Sequence, residues 1–397
     1  MTSDAVRAAI GRIGRTEDVQ FSPCGDRLVL VGHDANRLLF FDIRIELEAQ
    51  PPRVVINDFL ELTSDSFRLP HGLCWLDERT FVVANRNGDI GFYELPTRRP
   101  SSRSIRVEPA ASFGADRIDL VATPGSISVH PIGLGLIELL VCNNYVHHVS
   151  RHLIDLRDRY HVVASESLIA AGLHVPGGVA HSPSGRWIAV SNHAEHCISV
   201  YRNDSRLNDR SEPQAVLRGL IYPHGLTFAD EDNMLVADAG APLVRSYRVE
   251  GGNWQGEIEP HRSLRVMSDE TFRLGRITPH EGGPKGLHVS PDRRLMASTR
   301  EQDNLIFFDL RSELGTSVGE PPLDGPEEAE RARDFLLNYL GAARSDVEQA
   351  TLAIRRTSER EIQHLLNSRW WRITGPFRRM SANIQKAAQR RRHQWRR

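Results

Sequence analysis

The sequence predicts an all-β protein, a six-bladed β-propeller with four antiparallel strands per blade and a C-terminal α-helical extension. Three observations support this fold class. A short motif recurs six times at intervals of 47 to 61 residues, each copy reads as strand, turn and strand, and a further alternating apolar run follows five of the copies. Four short strands in every ~50 residues, repeated in series, are typical of propeller blades.

The motif copies supply the first two strands of each blade. Proline, aspartate, glycine or serine in the turn between the two apolar runs favours a hairpin. The third strand is the alternating run, as in LIFFDL from Leu305, and a more variable fourth strand fills the gap, as in residues 104–113. The copies begin at Thr16, Pro70, Pro124, Pro176, Pro223 and Pro284.

The N-terminal segment AVRAAIGRIG, from Ala5, precedes the first copy of the motif. We expect it to add an outer strand that closes the ring by pairing with the last blade, because ring closure removes open sheet edges. The propeller is therefore predicted to span residues 1–319.

Composition changes after Leu310. A linker rich in proline, glycine and acidic residues leads into two predicted helices, the second opened by the capping box SDVE at Ser345. Residues 320–368 are predicted to form this linker and helical segment. Residues 369–397 are predicted to be a basic amphipathic tail.

The overall charge and the spacing of the cysteines limit the classes of protein to which the chain can belong. The 397 residues carry a net charge of −1, yet residues 360–397 hold 11 basic residues and one acidic residue. Such a tail indicates an anionic partner. The four cysteines are scattered without a CxxC pair, which disfavours a zinc ribbon or a disulfide framework. With neither a signal peptide nor an apolar run of about 20 residues, we expect a cytoplasmic protein.

The polar ends of the motif predict where a site would lie. In a propeller the first strand starts, and the second ends, at the same mouth of the central channel. Polar side chains that converge there are predicted to bind a ligand; the alternative is that the asparagines and the aspartate cap local turns. The predicted metal ligands are Glu17, His71 and His224. The predicted ligand-binding residues of the mouth are His33, Asn85, Asn143, Asn192, Asp238, Lys285 and Arg300.

The Pro-x-Gly units resemble the six-bladed propellers of the gluconolactonase and senescence-marker family and, more loosely, NHL-repeat propellers. The resemblance implies a divalent metal in the channel, such as Ca²⁺, Zn²⁺ or Mn²⁺, and hydrolysis of a lactone or ester. Glu17 matches the family's first ligand by place. His224 stands where the family has Asp, and Gly177 where it has Asn.

The segment SRWWRITGPFRR, from Ser368, resembles a short sequence near the ends of bacterial glycosyltransferases and methyltransferases of surface-polysaccharide assembly. The resemblance implies work at the cytoplasmic face of the inner membrane. A basic helix with tryptophans favours an anionic lipid surface over nucleic acid. Docking of the tail to the enzymes of polysaccharide assembly is the alternative.

Together these features predict a peripheral membrane propeller that acts as a binding or scaffold protein in polysaccharide biosynthesis and holds a small sugar-like or anionic ligand. The alternative is a metal-dependent hydrolase of the lactonase type.

Overall fold

The computed structural model describes residues 2–311, except residues 47, 50–52, 115–119 and 278–279. Its strands form six small sheets around one axis, and the prediction of a six-bladed propeller is confirmed. The predicted segments 320–368 and 369–397 lie outside the described residues.

The strands follow the repeat in chain order. Blade 1 contains β1 (Thr16–Phe21), β2 (Arg27–Gly32), β3 (Arg37–Glu46) and β4 (Arg53–Thr63). Blade 2 contains β5 (Pro70–Trp75), β6 (Thr80–Asn85), β7 (Ile90–Glu94) and, after β8 (Ser104–Arg106), β9 (Ala111–Phe113). Blade 3 contains β10 (Pro124–Gly133), β11 (Leu136–Asn143), β12 (His148–Asp155) and β13 (His161–Ile169).

The second half of the ring repeats this order. Blade 4 contains β14 (Pro176–His181), β15 (Trp187–Asn192), β16 (Cys197–Arg202) and β17 (Ala215–Leu217). Blade 5 contains β18 (Pro223–Phe228), β19 (Asn233–Asp238), β20 (Leu243–Arg248) and, after β21 (Gly256–Ile258), β22 (Arg262–Arg265). Blade 6 contains β23 (Leu287–Val289), β24 (Leu295–Ser298) and β25 (Ile306–Asp309). The helices are α1 (Asp4–Arg12) and α2 (Asp269–Leu274), with 3-10 turns at Asn144–Val146 and His193–Glu195.

The expected fourth strand at residues 104–113 divides between two blades. Strand β8 adds in parallel to β4 of blade 1, with Ile105 opposite Leu62, whereas β9 completes blade 2. Pro109 lies between them and cannot donate to a strand ladder, so a continuous strand here is interrupted.

The expectation of an N-terminal outer strand was wrong, because residues 4–12 form helix α1. Val6, Ala9 and Ile13 are buried at helical spacing, and the Ser3 hydroxyl accepts the Val6 N–H at the helix start. The helix packs on the outer part of blade 1 and leaves the edge of β25 without a strand from the N-terminus.

The ring closes instead through the contact between blades 6 and 1. Val19 and Phe21 of β1 share one hydrophobic cluster with Leu295 and Ala297 of β24. The Phe21 N–H donates to His288 Nδ1 at 3.1 Å, across the same junction. Similar clusters join neighbouring blades elsewhere, and the apolar second strands are almost wholly buried within them.

Candidate functional site

One mouth of the central channel gathers the ends of the repeated hairpins. In blade 2, Pro70 at the start of the first strand pairs with Asn85 at the end of the second, and Pro223 pairs with Asp238 in blade 5. Blades 3 and 4 show the same register. The prediction that these positions face one opening is therefore supported by a strand pairing that recurs in four blades.

Close approach between blades explains the glycine of the motif. A Cβ at Gly72 would lie 2.6 Å from the backbone oxygen of Gly125, and a Cβ at Gly225 would lie 2.5 Å from that of Lys285. Both distances are shorter than real side chains tolerate. In the four blades that have it, this glycine lets the first strand approach the next blade, which narrows the channel and draws the preceding side chains together.

Glu17, His71 and His224 come together at this mouth, although they lie in blades 1, 2 and 5. Their ligand atoms all lie within 4.8 Å of one another. His71 Nε2 is 3.6 Å and His224 Nε2 is 3.7 Å from Glu17 Oε2. The two imidazole rings stack with centroids 5.8 Å apart and an interplanar angle of 20°. We call these three residues the mouth cluster.

The donors of the mouth cluster fit a divalent metal ion. Glu17 Oε2 and the Nε2 atom of His71 are buried without a hydrogen-bond partner, whereas Glu17 Oε1 forms an ion pair with Arg15. Two ligands of a tetrahedral ion with bonds of about 2.1 Å lie about 3.4 Å apart, close to the separations found here. Two imidazoles and one carboxylate suit zinc or manganese better than calcium, which prefers oxygen ligands.

Burial sets the protonation of the mouth cluster in favour of metal binding. It lowers the pKa of His224 to about 4, although the Glu17 charge opposes the change, and it lowers the pKa of His71 well below its usual value with help from Arg86. Both rings are therefore neutral at pH 7 and can offer a nitrogen lone pair. Burial alone would raise the pKa of Glu17, but the positive charges of Lys285 and Arg15 outweigh it and hold that pKa well below normal.

Two cations compete for the same carboxylate. Arg15 forms an ion pair with Glu17, and Lys285 Nζ lies 3.9 Å from Glu17 Oε1. Lys285 is completely buried, and its closest partner is Glu301 at 2.5 Å, followed by Glu281 at 3.5 Å. Glu301 and Glu281 thus hold the lysine beside the mouth cluster without making Glu17 its main partner.

The channel below the cluster is narrow. A cavity of about 40 Å³ is lined by first-strand residues of all six blades, among them Glu17, His71 and His224. A space of this volume is large enough for an ion or a water molecule but too small for a sugar ring. Asp18 lines it too, with its oxygens accepting the N–H groups of Val19 and Leu73, and burial raises the pKa of Asp18 to about 7.

The asparagines and the aspartate at the ends of the second strands all make the same local hydrogen bond. In each case the side-chain oxygen accepts the backbone N–H of the residue two positions before the proline of its own blade. The acceptor and donor pairs are Asn85 with Arg68, Asn143 with Ala122, Asn192 with His174, and Asp238 with Ile221.

The amide nitrogens of the three asparagines donate to backbone oxygens nearby: Asp89 at 2.9 Å, Leu120 at 2.9 Å and Gly172 at 2.7 Å. In three blades the segment that leads into the first strand has a non-glycine residue with positive φ directly before the proline, at Leu69, Val175 and Tyr222. The turn-capping alternative accounts for these side chains without a ligand. Direct ligand binding by them stays a prediction.

The remaining predicted residues have separate surroundings. His33 lies beside His71, with ring centroids 6.0 Å apart, and its Nδ1 is 2.7 Å from Asp34. Arg300 donates to the Val266 carbonyl at 3.0 Å and forms an ion pair with Asp303. His33 thus adjoins the mouth cluster, whereas Arg300 is engaged with the loop before blade 6.

Several residues of the mouth were not selected from the sequence. Arg15 precedes the first strand of blade 1 and Glu301 follows the second strand of blade 6, and nothing in the repeat marks them because they lie one residue outside the aligned positions. Glu281 accepts from His193 Nε2 at 3.1 Å, and Tyr222 stacks on His280 with centroids 5.3 Å apart. The run of histidines around Tyr222 was visible in the sequence, but its pairing across blades was not.

Among the described residues, no helix is long and apolar enough to cross a membrane. No protein-family model matches the chain, and no curated protein matches it. A luciferin-regenerating enzyme aligns at 13% identity over 79% of this chain and 90% of that one, with a TM-score of 0.49. A functionally unknown protein from Desulfotomaculum acetoxidans aligns at 15% identity over 77% and 85% of the two chains, with a TM-score of 0.46. The chain's own sheets and their closure define it as a six-bladed β-propeller.

Proposed function

We propose that this propeller is a binding module that holds a divalent transition metal in its mouth cluster and, beside it, a small sugar-like or anionic ligand. The observation that carries the proposal is the meeting of three buried donors from three blades, two of which have polar atoms without a hydrogen-bond partner. An unpaired buried polar atom costs about 1–3 kcal/mol. A bound ion would remove that cost at Glu17 Oε2 and at His71 Nε2, whereas Glu17 Oε1 already has Arg15 as its ion-pair partner.

The shape of the mouth supports the ligand class. The cavity beneath the cluster is too small for a sugar, so the ligand would bind above it, on the rim. Tyr222 lies on that rim between His193 and His280, with ring centroids 5.1 and 5.3 Å away. Aromatic faces and a few convergent polar groups are the usual lining of small-ligand sites.

Metal content tests the first part of the proposal. Purified protein is dialysed against Zn²⁺, Mn²⁺ or Ca²⁺, and the bound metal is measured by elemental analysis. We expect about one Zn²⁺ or Mn²⁺ per chain and little Ca²⁺, with binding lost in Glu17→Gln and His224→Ala. His174→Ala is the matched control, because this exposed mouth histidine pairs with Glu195 outside the cluster. Equal metal content in all four proteins would refute the site.

A metal-dependent hydrolase of the lactonase type is the second candidate. Two histidines and one glutamate are also the protein ligands of hydrolytic zinc sites, and a bound divalent ion can polarise a carbonyl or activate water. Lactone hydrolysis by the metal-loaded protein that disappears in His224→Ala but survives in His174→Ala would favour this candidate. A protein that binds metal and sugar phosphates without hydrolysing lactones would favour the binding module.

We further propose that the module works in bacterial surface-polysaccharide assembly at the cytoplasmic membrane face. Support comes from the sequence of residues 368–378 and the basic residues beyond it, which lie outside the described residues. Co-sedimentation with vesicles containing anionic lipid would compare the full chain with a chain that ends at Ser368. We expect only the full chain to sediment, and less of it at high salt, since screening weakens charge attraction. Equal sedimentation would remove the membrane proposal and leave the metal site untouched.

A further inference from the structure

The side of the mouth at blades 3 and 4 contributes no side chain to the mouth cluster. The residue directly after the proline of the motif is Gly125 in blade 3 and Gly177 in blade 4, whereas the same position supplies His71 in blade 2 and His224 in blade 5. The first strands of blades 3 and 4 are neighbours in the ring. The donors of the mouth cluster therefore come from other blades, and we call the side at Gly125 and Gly177 the open side.

Asn144 fills the space beside Gly125. Its Oδ1 atom occupies the place of a Gly125 side chain, because a Cβ at Gly125 would lie 2.2 Å from that oxygen. Asn144 is 5% exposed, and its Oδ1 is buried without a hydrogen-bond partner. Asn143, one residue earlier, bonds through both of its side-chain polar atoms. The polar atom that blade 3 brings to the open side thus comes from the turn after the second strand and not from the motif.

Arg86 holds the corresponding position in blade 2, because it directly follows the last residue of the second strand, as Asn144 does in blade 3. Its guanidinium carbon lies 5.3 Å from the centroid of the ring of Tyr145, the residue next to Asn144. This cation–π contact holds the arginine against blade 3. Its Nη1 atom is buried without a hydrogen-bond partner, and Arg86 forms no ion pair in the part of the chain that the structure describes. One cationic and one neutral buried group at the junction of blades 2 and 3 therefore each have a polar atom without a hydrogen-bond partner.

The charges around the mouth cluster favour a ligand with two negative charges. The carboxylates and the cations around it are equal in number: Glu17, Glu281 and Glu301 against Arg15, Arg86 and Lys285. A divalent ion bound there would leave its own charge uncompensated. Asp18 below the cluster is only partly ionised at pH 7, since burial raises its pKa to about 7, and it offsets less than one of the two charges. Buried charge is costly without a partner, so a phosphate monoester, whose second pKa is about 6, fits better than a monoanion.

We propose that the open side binds a sugar phosphate, with Arg86 donating to the phosphate group and Asn144 accepting from a hydroxyl group of the sugar. The inference rests on the proposed function and names the ligand class of its mouth. The guanidinium fork of arginine donates two parallel hydrogen bonds to phosphate oxygens. Asn144 Oδ1 can only accept, so it suits a hydroxyl group and not a phosphate dianion. Both buried atoms then gain the hydrogen-bond partner that each lacks within the described residues.

Calorimetric titration of the full chain, with and without zinc, tests this inference. Glucose 1-phosphate should bind more tightly than glucuronate, which has a single negative charge, and more tightly than methyl phosphate, which has no sugar hydroxyl. Arg86→Gln should weaken the binding of glucose 1-phosphate at least about tenfold, and Arg86→Lys, which keeps the charge but not the fork, should weaken it less. Asn144→Ala should reduce the difference in affinity between glucose 1-phosphate and methyl phosphate. Arg68→Gln, at an exposed arginine just before blade 2, is the matched control and should leave all three affinities unchanged.

Elemental analysis of the same samples separates this inference from the proposed metal site. Arg86→Gln should keep the zinc content of the native protein, because Arg86 is not a member of the mouth cluster. If this variant also kept the native affinity for glucose 1-phosphate, the inference would be wrong and the metal site would stand.

Other outcomes decide between the two proposals as clearly. If the native protein bound no zinc, the metal site would be wrong, and weaker binding of glucose 1-phosphate by metal-free Arg86→Gln than by the metal-free native protein would still support the inference. Tighter binding of glucuronate than of glucose 1-phosphate, or no binding of either probe, would overturn it. Should Arg86→Gln fail to fold, Arg86→Lys and Asn144→Ala keep the test, with smaller expected losses of affinity.

Discussion

Two sets of polar residues at the channel mouth come from the same repeat but differ in how their atoms are bonded. The side chain of Asn143 is fully buried, and both its oxygen and its nitrogen bond to nearby groups. Glu17 is buried to nearly the same degree, yet its Oε2 has no hydrogen-bond partner, and its Oε1 is approached only by the cations Arg15 and Lys285. Two equally buried polar side chains therefore differ in whether local hydrogen bonds compensate the free-energy cost of burying them.

The difference teaches how to separate support from function in a repeat protein. Each asparagine stabilises the segment that leads into the first strand of its own blade, so each can act without the others. The mouth cluster cannot form within one blade, because its members meet only when blades 1, 2 and 5 are arranged around the axis. Buried polar groups normally find partners, and the group that does not is the better candidate for a ligand.

The largest expected effect comes from removing a support residue. Asn143→Ala leaves the Ala122 N–H and the Leu120 carbonyl without their partner and opens a small cavity. We expect the free energy of unfolding to fall by about 3 kcal/mol, as measured by urea denaturation. Asn87→Ala, at an exposed position, should change it by less than about 0.5 kcal/mol. If both variants lost the same amount, the asparagine would not support the fold through these bonds.

The second effect concerns the mouth cluster and depends on metal. Zinc at 100 times its dissociation constant should raise the free energy of unfolding of the native protein by about 2.7 kcal/mol. Glu17→Gln should gain nothing, because it loses the charged ligand. Asn143→Ala should keep the whole zinc-dependent gain despite its lower stability. Denaturation curves with and without zinc measure the gain in the free energy of unfolding for all three proteins. If Glu17→Gln kept this gain, zinc would bind outside the mouth cluster.

The sequence predicted the ring because the strand, turn and strand pattern recurs six times, and in four of the six copies a glycine permits the close approach of the next blade. It predicted Glu17, His71 and His224 as a group for the same reason, since their positions relative to the proline fix the mouth they face. Helix α1 was mistaken for a strand: an apolar segment that precedes a β-repeat invites a strand assignment, although Val6, Ala9 and Ile13 recur with helical spacing.

The ion-pair partners outside the aligned positions of the repeat could not be predicted. Lys285 was expected to face a ligand, but its closest atom belongs to Glu301, which lies beyond the second strand of the same blade. Arg15 precedes the first strand and shares no position with the repeat, yet it forms an ion pair with Glu17. Such contacts depend on loop conformation and side-chain length, which strand periodicity does not encode.

A third and smaller expected effect concerns the positive charge of Lys285 beside the mouth cluster. Lys285→Met removes a positive charge 3.9 Å from Glu17. Opposite charges at that distance attract by several kcal/mol at the effective dielectric of a protein surface, about 4 kcal/mol at most. We expect zinc to bind at least tenfold more tightly, by competition with a chromophoric chelator. Arg245→Met, which frees the buried Asp238 away from the mouth cluster, is the control; an equal gain there would point to net charge alone.

The smallest effect distinguishes a bonded channel histidine from the two of the cluster. His288 accepts the Phe21 N–H across the junction of blades 6 and 1, and burial lowers the pKa of His288 to about 4. In the unfolded chain the pKa returns to about 6.5, so between these values the unfolded state binds more protons. Stability should therefore be complete above pH 6.5 and fall by about 1 kcal/mol per pH unit as the pH drops toward 4. His288→Gln, which keeps an acceptor that does not titrate, should flatten this part of the pH profile of urea denaturation. An unchanged slope in the variant would show that the junction between blades 6 and 1 does not depend on the charge of His288.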